Sequence, residues 1–203
     1  MIDQPFRQWL SGLCGPVLSV YRRLNVHPNN LSLLGFAGAC LSALCVTISA
    51  PYAAIFFWWG GRFFDGTDGL WARASGLSSG FGAYLDILLD MAAYSLMIPA
   101  FYMVYPDYGL LLMTILLMYV LCITSALALG AQEEAAGLNQ RDNRGLRLGA
   151  GLAEGGETGI AYTLFLLLPD WFSVLACLWL LVLVVTVVSR TFLAMKLFKS
   201  IKN

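Results

Sequence analysis

Charged residues are scarce in this chain. Lysine, arginine, aspartate and glutamate make up 12% of its 203 residues, about half of the roughly 25% that is typical of soluble domains. Hydrophobic residues make up 59%. This balance excludes an ordinary soluble domain and predicts an integral membrane protein. The formal net charge is zero, so no basic excess points to a nucleic-acid partner, and we expect none.

Histidine and cysteine are also sparse. The chain has one histidine, His27, and its five cysteines form no CxxC pair: Cys14, Cys40, Cys45, Cys122 and Cys177. This spacing does not fit a zinc site or a disulfide framework, and we interpret the cysteines as small packing residues. Residues 1–10 lack the long apolar core of a cleavable signal peptide. We therefore expect the first membrane span to be retained.

Apolar runs of roughly 20 residues, the length that crosses a bilayer, recur along the chain. They predict transmembrane helices over residues 32–50, 53–75, 80–104, 109–131, 150–168 and 171–195. Residues 4–25 carry apolar side chains at helical spacing, which predicts an interfacial amphipathic helix, with a soluble lead-in as the alternative. We expect an all-α integral membrane protein with one domain, 1–203, formed by an interfacial helix in 1–25 and a six-helix core in 32–195.

Basic residues outside the predicted spans gather on one side of the membrane. They are Arg7, Arg22, Arg23, Arg141, Arg144, Arg147, Lys196, Lys199 and Lys202. The loops on the other side, near Pro51, Pro106 and Pro169, contain no lysine or arginine. By the positive-inside rule, both termini and the connection between the second and third spans are expected to be cytoplasmic.

Four aspartates interrupt the second and third apolar runs: Asp65, Asp68, Asp86 and Asp90. An ionised carboxylate inside a bilayer costs at least a few kcal/mol, so four together need a shared compensation, which a divalent cation would supply. Each pair is spaced to lie on one face of its helix. A tight turn after Arg73 would make the two helices antiparallel and bring the carboxylates together near the cytoplasmic surface.

The residue types indicate a ligand. Carboxylates without thiolates or imidazoles favour a hard cation such as Mg²⁺ or Mn²⁺. Four carboxylates fit two ions, or one ion and a carboxylate reserved for proton transfer. Gly69, Ala72 and Gly82 leave room on the same faces for a bulky ligand such as a diphosphate. The alternatives are close helix packing for the small residues, and ion pairs or a proton relay for the carboxylates. Arg62, one turn before Asp65, is expected to balance the acidic cluster.

These residues match a known pattern. Residues 65–90 read D-x-x-D-G-x-x-A-R-x8-G-x3-D-x3-D, and this segment resembles without departure the signature of the CDP-alcohol phosphotransferases, membrane enzymes of phospholipid head-group synthesis. The start of the first span, Pro28-Asn29-Asn30-Leu31-Ser32, is also similar to that of the family. The resemblance covers most of the chain. It implies attack of an alcohol hydroxyl on the β-phosphorus of a CDP-linked substrate, with CMP leaving.

The resemblance also implies roles for single residues. Asp65, Asp68 and Asp86 are implied metal ligands, and Asp90 is an implied ligand that also acts as the catalytic general base, with two Mg²⁺ or Mn²⁺ ions expected. An alcohol attacks poorly unless its proton is removed, so the chemistry needs such a base. The residues implied to contact the CDP moiety or to give it clearance are Asn29, Asn30, Leu31, Ser32, Gly69, Ala72, Arg73, Ser79 and Gly82.

The length and layout resemble bacterial family members that use CDP-diacylglycerol. This donor, the bacterial cytoplasmic membrane, an active site facing the cytoplasm and a homodimer are expected on that basis. The acceptor is expected to be a small polar alcohol, phosphorylated or polyol-like. Arg147 and Arg190 resemble in position the basic residues that bind phosphorylated acceptors. We hypothesise a phosphate pocket formed by Arg144, Arg147 and Arg190, although Arg144 and Arg147 equally fit a role in membrane orientation. Glu154 and Glu157 stand where many phosphatidylglycerophosphate synthases have a lysine-rich segment, which argues against glycerol 3-phosphate.

Two other functions fit parts of the sequence. Transfer from a soluble CDP-alcohol to a lipid acceptor would use the same signature, although the family members that catalyse it are longer. A cation transporter or channel would also contain acidic residues within its helices. The predicted carboxylates gather near one membrane face without polar positions continuing toward the other, which argues against transport.

Overall fold

The structure is a computed structural model that describes residues 15–137 and 155–201. Six long helices dominate these residues, and no strand occurs within them. They are α1 (Pro28–Thr47), α2 (Pro51–Ser75), α3 (Gly80–Val104), α4 (Gly109–Ala135), α5 (Gly155–Leu167) and α6 (Phe172–Ile201). Residues 15–23 form a further helical segment ahead of α1. The predicted all-α class is confirmed for the described chain.

Four of the described helical stretches are long and apolar enough to cross a membrane. They are Pro28–Thr47, Gly80–Val104, Pro106–Ala135 and Pro169–Lys199. α2 differs from them because it contains four charged residues, and α5 differs because only 13 of its residues are described. The protein is therefore an integral membrane protein with at least these four candidate spans. Six spans and an N-terminal interfacial helix stay predictions.

Most predicted spans lie within a few residues of the observed helices. The third, 80–104, coincides with α3. α1 begins at Pro28 instead of residue 32, because proline suits the first helical turn and His27 Nδ1 accepts the Asn29 N–H at 3.3 Å. α6 continues to Ile201 instead of 195. The predictions about residues 1–14 and 138–154 lie outside the described residues.

Close packing links the helices in a ring, in the order α1, α2, α5, α6, α4 and α3, with α3 closing on α1. α1 packs closely on both α2 and α3, whereas α2 and α3 are in much looser contact with each other within the described chain. The core of the ring holds large buried side chains, among them Trp58, Phe101, Tyr162 and Phe165. Leucine, phenylalanine and methionine side chains on the outer faces, such as Leu110 and Phe56, are exposed, as expected of a surface in contact with lipid.

Glycines bring α1 and α2 together. A Cβ atom added to Gly61 would lie 2.6 Å from the carbonyl oxygen of Gly35, and one added to Gly38 would lie 2.8 Å from the Cα of Gly61. A side chain at Gly61 or Gly38 would therefore push the two helices apart. Small residues allow such close backbone approach in membrane proteins. The contact fixes α1 against the part of α2 that leads into Asp65.

A chain of hydrogen bonds joins the other four helices. Tyr162 donates its only proton to the backbone oxygen of Tyr94 at 2.8 Å. Tyr119 must therefore donate to Tyr162 at 2.8 Å, and Trp179 Nε1 donates to Tyr119 at 2.8 Å. All four residues are buried. The chain satisfies each of these polar groups, as buried polar groups require, and it ends at a carbonyl that cannot pass a proton onward.

Candidate functional site

Three predicted ligands converge where α2 faces α3. Asp65 and Asp68 lie in the second half of α2, and Asp86 lies in the second turn of α3. One carboxylate oxygen from each lies within 4.8 Å of the other two. The expectation that the two helices bring these carboxylates together is confirmed for these three residues.

The short connection between the helices, residues 76–79, produces this convergence. Gly76 follows the end of α2 with φ +71°, a left-handed conformation that glycine adopts without strain. Ser79 caps α3, since its hydroxyl accepts the Gly82 N–H at 3.0 Å. A connection this short makes α2 and α3 antiparallel. Asp68 therefore lies opposite Asp86, as the turn predicted after Arg73 requires.

The beginning of α1 forms the third wall of the site. The Ser32 hydroxyl donates to Asp68 Oδ2, and both residues are buried. Asn29 Oδ1 would lie 3.3 Å from a Cβ atom at Gly82, so the Asn29 side chain lies close to the first turn of α3. Leu31 is 1% exposed and packs in a small cluster with Tyr21 and Trp71. Asn30 is exposed.

The N-terminal segment is attached to this end of the bundle. Trp71 Nε1 donates to the backbone oxygen of Val26 at 2.8 Å, and the hydroxyls of Tyr21 and Thr67 are 3.0 Å apart. Val17 packs against the same cluster. Val17 and Tyr21, two apolar residues of the predicted amphipathic segment 4–25, thus contact other parts of the protein.

The predicted nucleotide residues of α2 line one open face. Apart from the adjacent residues and the backbone of its own helix, a Cβ atom at Gly69 would have one described neighbour within 4 Å, Arg73 Nη1 at 3.5 Å. Ala72 is half-buried and Arg73 is exposed. A face with little side-chain bulk has room for a phosphate group, and Arg73 has N–H groups that could donate to it. A cation held by the three carboxylates would be needed to offset their negative charge. The roles of Gly69, Ala72, Arg73, Ser79 and Gly82 stay predictions.

Asp90 has a different environment from the three clustered aspartates. It lies one turn after Asp86 and forms an ion pair with Arg62 Nη1. The same nitrogen lies 3.3 Å from Asp65 Oδ2 and donates to the Tyr94 hydroxyl at 3.2 Å. Arg62 therefore balances the acidic cluster from within the bundle, as expected from its place one turn before Asp65.

Two aromatic rings enclose the guanidinium of Arg62. Its Cζ atom lies 5.3 Å from the ring centroid of Trp58 and 5.3 Å from that of Tyr94, which are distances of a cation–π contact. The Arg62 side chain is 9% exposed. Sequence reasoning missed Tyr94, although it follows Asp90 by four residues and so continues the row of Gly82, Asp86 and Asp90 on α3.

The predicted acceptor residues are only partly within the described chain. Arg190 is buried in α6 and donates to the Ser125 hydroxyl at 3.0 Å and to the backbone oxygen of Cys122. Glu157 lies in the first turn of α5. Arg144, Arg147 and Glu154 lie outside the described residues. A shared pocket of the three arginines stays a prediction.

The donor set fits a hard divalent cation. Carboxylate oxygens are the ligands that Mg²⁺ and Mn²⁺ prefer. Two ligands of one Mg²⁺ are about 3 Å apart when adjacent and about 4.2 Å apart when opposite, so the three oxygens, which lie within 4.8 Å of one another, would move closer together to bind one ion. Among the described residues, no cysteine or histidine joins this group. Asp65, Asp68 and Asp86 are the residues that would hold such an ion.

The fold and the site together define the class of the protein. It is a helical membrane protein in which three carboxylates meet between adjacent helices, next to a face of small residues. The family then follows from direct comparison: the family model "CDP-alcohol phosphatidyltransferase" matches residues 25–147. The chain belongs to this family, and it is a phosphotransferase enzyme.

Known proteins resemble the chain over most of its length. The inner membrane protein YnjF of Escherichia coli (strain K12) is 31% identical over 180 residues, which cover 85% of each chain. Two crystal structures of the phosphatidylinositol phosphate synthase PgsA1 of Mycobacterium tuberculosis have a similar fold. The complex with manganese and citrate has a TM-score of 0.65 at 20% identity and covers 89% of this chain and 88% of PgsA1. The structure with CDP-DAG bound has a TM-score of 0.64 at 21% identity, over 88% and 92% of the two chains.

Proposed function

We propose that the protein transfers the phosphatidyl group of CDP-diacylglycerol to the hydroxyl of a small polar alcohol and releases CMP, in a metal-dependent reaction. The observation that carries this proposal is the carboxylate triad of Asp65, Asp68 and Asp86 beside the open face at Gly69. The donor is proposed because PgsA1, which shares the fold, has been crystallised with CDP-DAG bound. The metal is proposed because PgsA1 has also been crystallised with manganese.

The proposed cation is Mg²⁺ or Mn²⁺, held by the triad. When bound, it would neutralise the charge that develops on the diphosphate as CMP leaves. The four aspartates suit two ions, or one ion with Asp90 kept for proton transfer. Outside the triad, Arg73 is proposed to donate to a phosphate oxygen with its fork of N–H groups. Asn29, Asn30, Leu31 and Ser32, with Ser79, would enclose the nucleotide, and the small residues Ala72 and Gly82 would give it clearance.

Asp90 is the proposed general base. The alcohol oxygen forms a bond to the β-phosphorus, the bond from that phosphorus to the bridging oxygen breaks, and CMP takes the electron pair. The hydroxyl proton passes to a carboxylate within hydrogen-bond reach. Arg62 occupies one oxygen of Asp90, Oδ1, which leaves Oδ2 as the atom proposed to accept the proton.

The proposals for the acceptor alcohol and for the number of chains in the assembly rest on residues outside the carboxylate triad and on family resemblance. We propose a phosphorylated or polyol-like alcohol, with Arg190 as the described residue whose positive charge would attract a phosphate and Arg144 and Arg147 as its companions. Replacing Arg190 and Arg147 by methionine should then raise the KM of the acceptor, and an unchanged KM would contradict this role. A homodimer is proposed on family resemblance alone, and native mass spectrometry would count the chains.

CMP release by the purified protein tests the central proposal. The assay contains detergent, CDP-diacylglycerol, Mg²⁺ or Mn²⁺, and one acceptor at a time from a panel of polyols, amino alcohols and their phosphates. We expect CMP and a new phospholipid to form in equal amounts with one acceptor class, and EDTA to stop both. Asp68→Asn should abolish release, whereas Asp107→Asn, in the loop before α4, should not.

The same assay distinguishes the alternative donor. Diacylglycerol with a soluble CDP-alcohol replaces CDP-diacylglycerol and the acceptor panel. Release of CMP only in this second format would show that the direction of transfer is the reverse of the one proposed. Release in neither format, from protein that remains folded, would contradict the proposed function.

A further inference from the structure

The N-terminal segment, residues 15–26, is held in a fixed position ahead of α1. Its helix ends in a Schellman motif, in which the Val26 N–H donates to the backbone oxygen of Tyr21 at 3.1 Å. The second bond of the motif runs from the Asn25 N–H to the backbone oxygen of Arg22 at 3.2 Å. Asn25 has φ +49°, the left-handed conformation that this motif requires. The segment therefore joins α1 through a defined turn.

One face of the segment packs against α2. Val17 and Leu18 contact the small cluster around Trp71. The rings of Tyr21 and Trp71 lie edge to face, with their centroids 6.2 Å apart. The hydroxyls of Tyr21 and Thr67 are 3.0 Å apart, and Trp71 Nε1 donates to the backbone oxygen of Val26. With this face held by α2, the other side chains of the segment point away from the bundle.

The outward side chains combine an apolar edge with positive charge. Val20 is 49% exposed and Leu24 is 68% exposed. They are four residues apart, so they lie next to each other along the segment. Arg22 and Arg23 are also exposed. Apolar side chains beside arginines are typical of a helix that lies at a lipid surface.

The place of the segment in the chain puts it at the membrane boundary. It directly precedes α1, which is one of the candidate membrane spans. A residue just outside a span lies at the depth of the lipid headgroups. Arg22 and Arg23 are therefore within reach of headgroup phosphates.

No acidic side chain of the described chain pairs with these two arginines. Neither forms an ion pair among the residues that the structure describes. Residues 4–64 contain no aspartate or glutamate, and the first carboxylate after them, Asp65, has a side chain that is only 16% exposed. A partner that covers this surface should be negatively charged, and it should have an apolar part to cover Val20 and Leu24.

We propose that the N-terminal segment is a binding surface for anionic phospholipids of the leaflet at this end of the bundle. Arg22 and Arg23 donate to the lipid phosphates, and Val20 and Leu24 contact the first carbons of the acyl chains. One basic residue near an anionic membrane surface strengthens the attraction about fivefold, so two supply about 25-fold. The inference concerns a surface outside the carboxylate site and does not rest on the proposed function.

Hydrogen–deuterium exchange of the purified full-length protein in nanodiscs tests the proposal. The discs contain phosphatidylcholine alone, or phosphatidylcholine with about 30% phosphatidylglycerol, which makes the surface negative. We expect the amides of residues 15–26 to exchange at least about fivefold more slowly in the anionic discs. About 1 M NaCl should remove this difference, because it screens charges beyond about 3 Å. Equal exchange in the two kinds of disc would overturn the proposal.

A double variant shows whether the two arginines cause the effect. Arg22→Gln combined with Arg23→Gln should abolish the dependence on phosphatidylglycerol. Both positions are exposed, so the midpoint of thermal unfolding should stay that of wild type. The matched control is Lys199→Gln, at an exposed basic position near the end of α6, which should keep the full dependence. A dependence that persists in the double variant, or that disappears in Lys199→Gln, would contradict the assignment to this surface.

The nanodisc experiment also separates lipid binding from membrane orientation. Both faces of a nanodisc carry the same lipids and are open to solvent. If Arg22 and Arg23 served only to orient the chain during insertion, exchange of residues 15–26 would not change with lipid charge. A lipid dependence that the double variant loses therefore supports binding.

Discussion

Ser32 shows how a single hydroxyl can prepare a cation site. It reaches from α1 to Asp68 on α2 and donates to one of the oxygens of that buried carboxylate. The bond orients the Asp68 carboxylate, which lies in the cluster with Asp65 and Asp86. Hydrogen-bond partners of this kind orient metal ligands and tune their affinity for the ion.

Ser32→Ala is therefore expected to weaken Mn²⁺ binding by about 10- to 100-fold, since removal of such an outer partner typically has an effect of this size. A titration followed by electron paramagnetic resonance measures the change. Ser42→Ala is the matched control, because Ser42 also joins α1 to α2, through a 2.8 Å bond to the backbone oxygen of Ala54, and is fully buried. Equal losses of affinity in the two variants would assign the effect to helix packing instead of to Asp68.

Asp90→Asn tests the base. The amide keeps the size of the carboxylate but cannot accept the alcohol proton, so we expect turnover to fall about 100- to 10,000-fold, the usual contribution of general acid–base catalysis. CDP binding, measured by isothermal titration calorimetry, should stay within threefold of wild type. Full turnover in this variant would mean that another group removes the proton.

At the level of the helices, the contact between α1 and α2 depends on glycine. Gly61→Ala would place a Cβ atom 2.6 Å from the Gly35 carbonyl oxygen, so one helix must shift. Overpacking of this kind typically costs about 1–3 kcal/mol, and we expect a lower midpoint of thermal unfolding in detergent.

The neighbouring glycine supplies the control for that experiment. A Cβ atom at Gly60 would meet nothing within 4 Å among the described residues. Gly60→Ala should leave the midpoint unchanged or raise it slightly, because alanine is favoured over glycine in a helix by up to about 1 kcal/mol. A similar fall in both variants would show that the effect comes from the helix itself and not from its contact with α1.

Sequence reasoning located the helices well because apolar length and terminal residues are local signals. The start of the third span at residue 80 was predicted, whereas α1 and α2 begin at Pro28 and Pro51, ahead of the predicted residues 32 and 53. The order of the helices around the ring was not predictable in the same way. Helices such as α4 and α6 are apolar on the core side and on the lipid side alike, so their sequences do not indicate which face meets which neighbour.

In the site, too, the features set by local sequence were predictable and the features set by packing between helices were not. The spacing of Asp65, Asp68 and Asp86 predicted their convergence because helix geometry and a short connection determine it. The hydrogen-bond partners of these aspartates were not predicted, because they depend on how the helices pack against each other. The nucleotide contact expected of Ser32 stays a prediction, and the bond from its hydroxyl to Asp68 was not predicted. The ion pair of Arg62 with Asp90 depends on how α2 and α3 face each other across the bundle, which residue spacing does not encode.

At the scale of the whole molecule, the site lies at one end of the bundle. The start of α1, the second half of α2 and the first half of α3 meet there, close to the basic residues Arg22, Arg23 and Arg73. The connections at the other end, around Asp107 and Asp170, contain acidic residues and no lysine or arginine. By the positive-inside rule, this distribution predicts that the site faces the cytoplasm.

Single cysteines would check this orientation. Ser78→Cys, in the connection between α2 and α3, and Asp107→Cys, before α4, are compared in a background where the native cysteines are replaced by alanine. In intact cells with a permeable outer membrane, a membrane-impermeant maleimide should label Asp107→Cys and should reach Ser78→Cys only after lysis. The reverse pattern would place the site on the outer side.

The hydrogen-bond chain from Trp179 to Tyr94 does not form a proton relay. It continues the polar groups beyond Arg62 into the bundle, but its last acceptor is the backbone oxygen of Tyr94. A proton relay needs groups that both accept and release protons, and a backbone carbonyl does not. The polar core of the described helices thus stiffens the bundle behind the site.

The short connection at residues 76–79 also bears on biosynthesis. It places α2 directly before α3. The residues described above around the cation site, from Asn29 to Tyr94, all belong to the first three helices. These helices are translated before α4, so a nascent chain that has been synthesised as far as Val104 already contains Asp65, Asp68 and Asp86. Acquisition of the ion can accompany insertion into the bilayer, at the stage when the acidic side chains would otherwise enter lipid uncompensated.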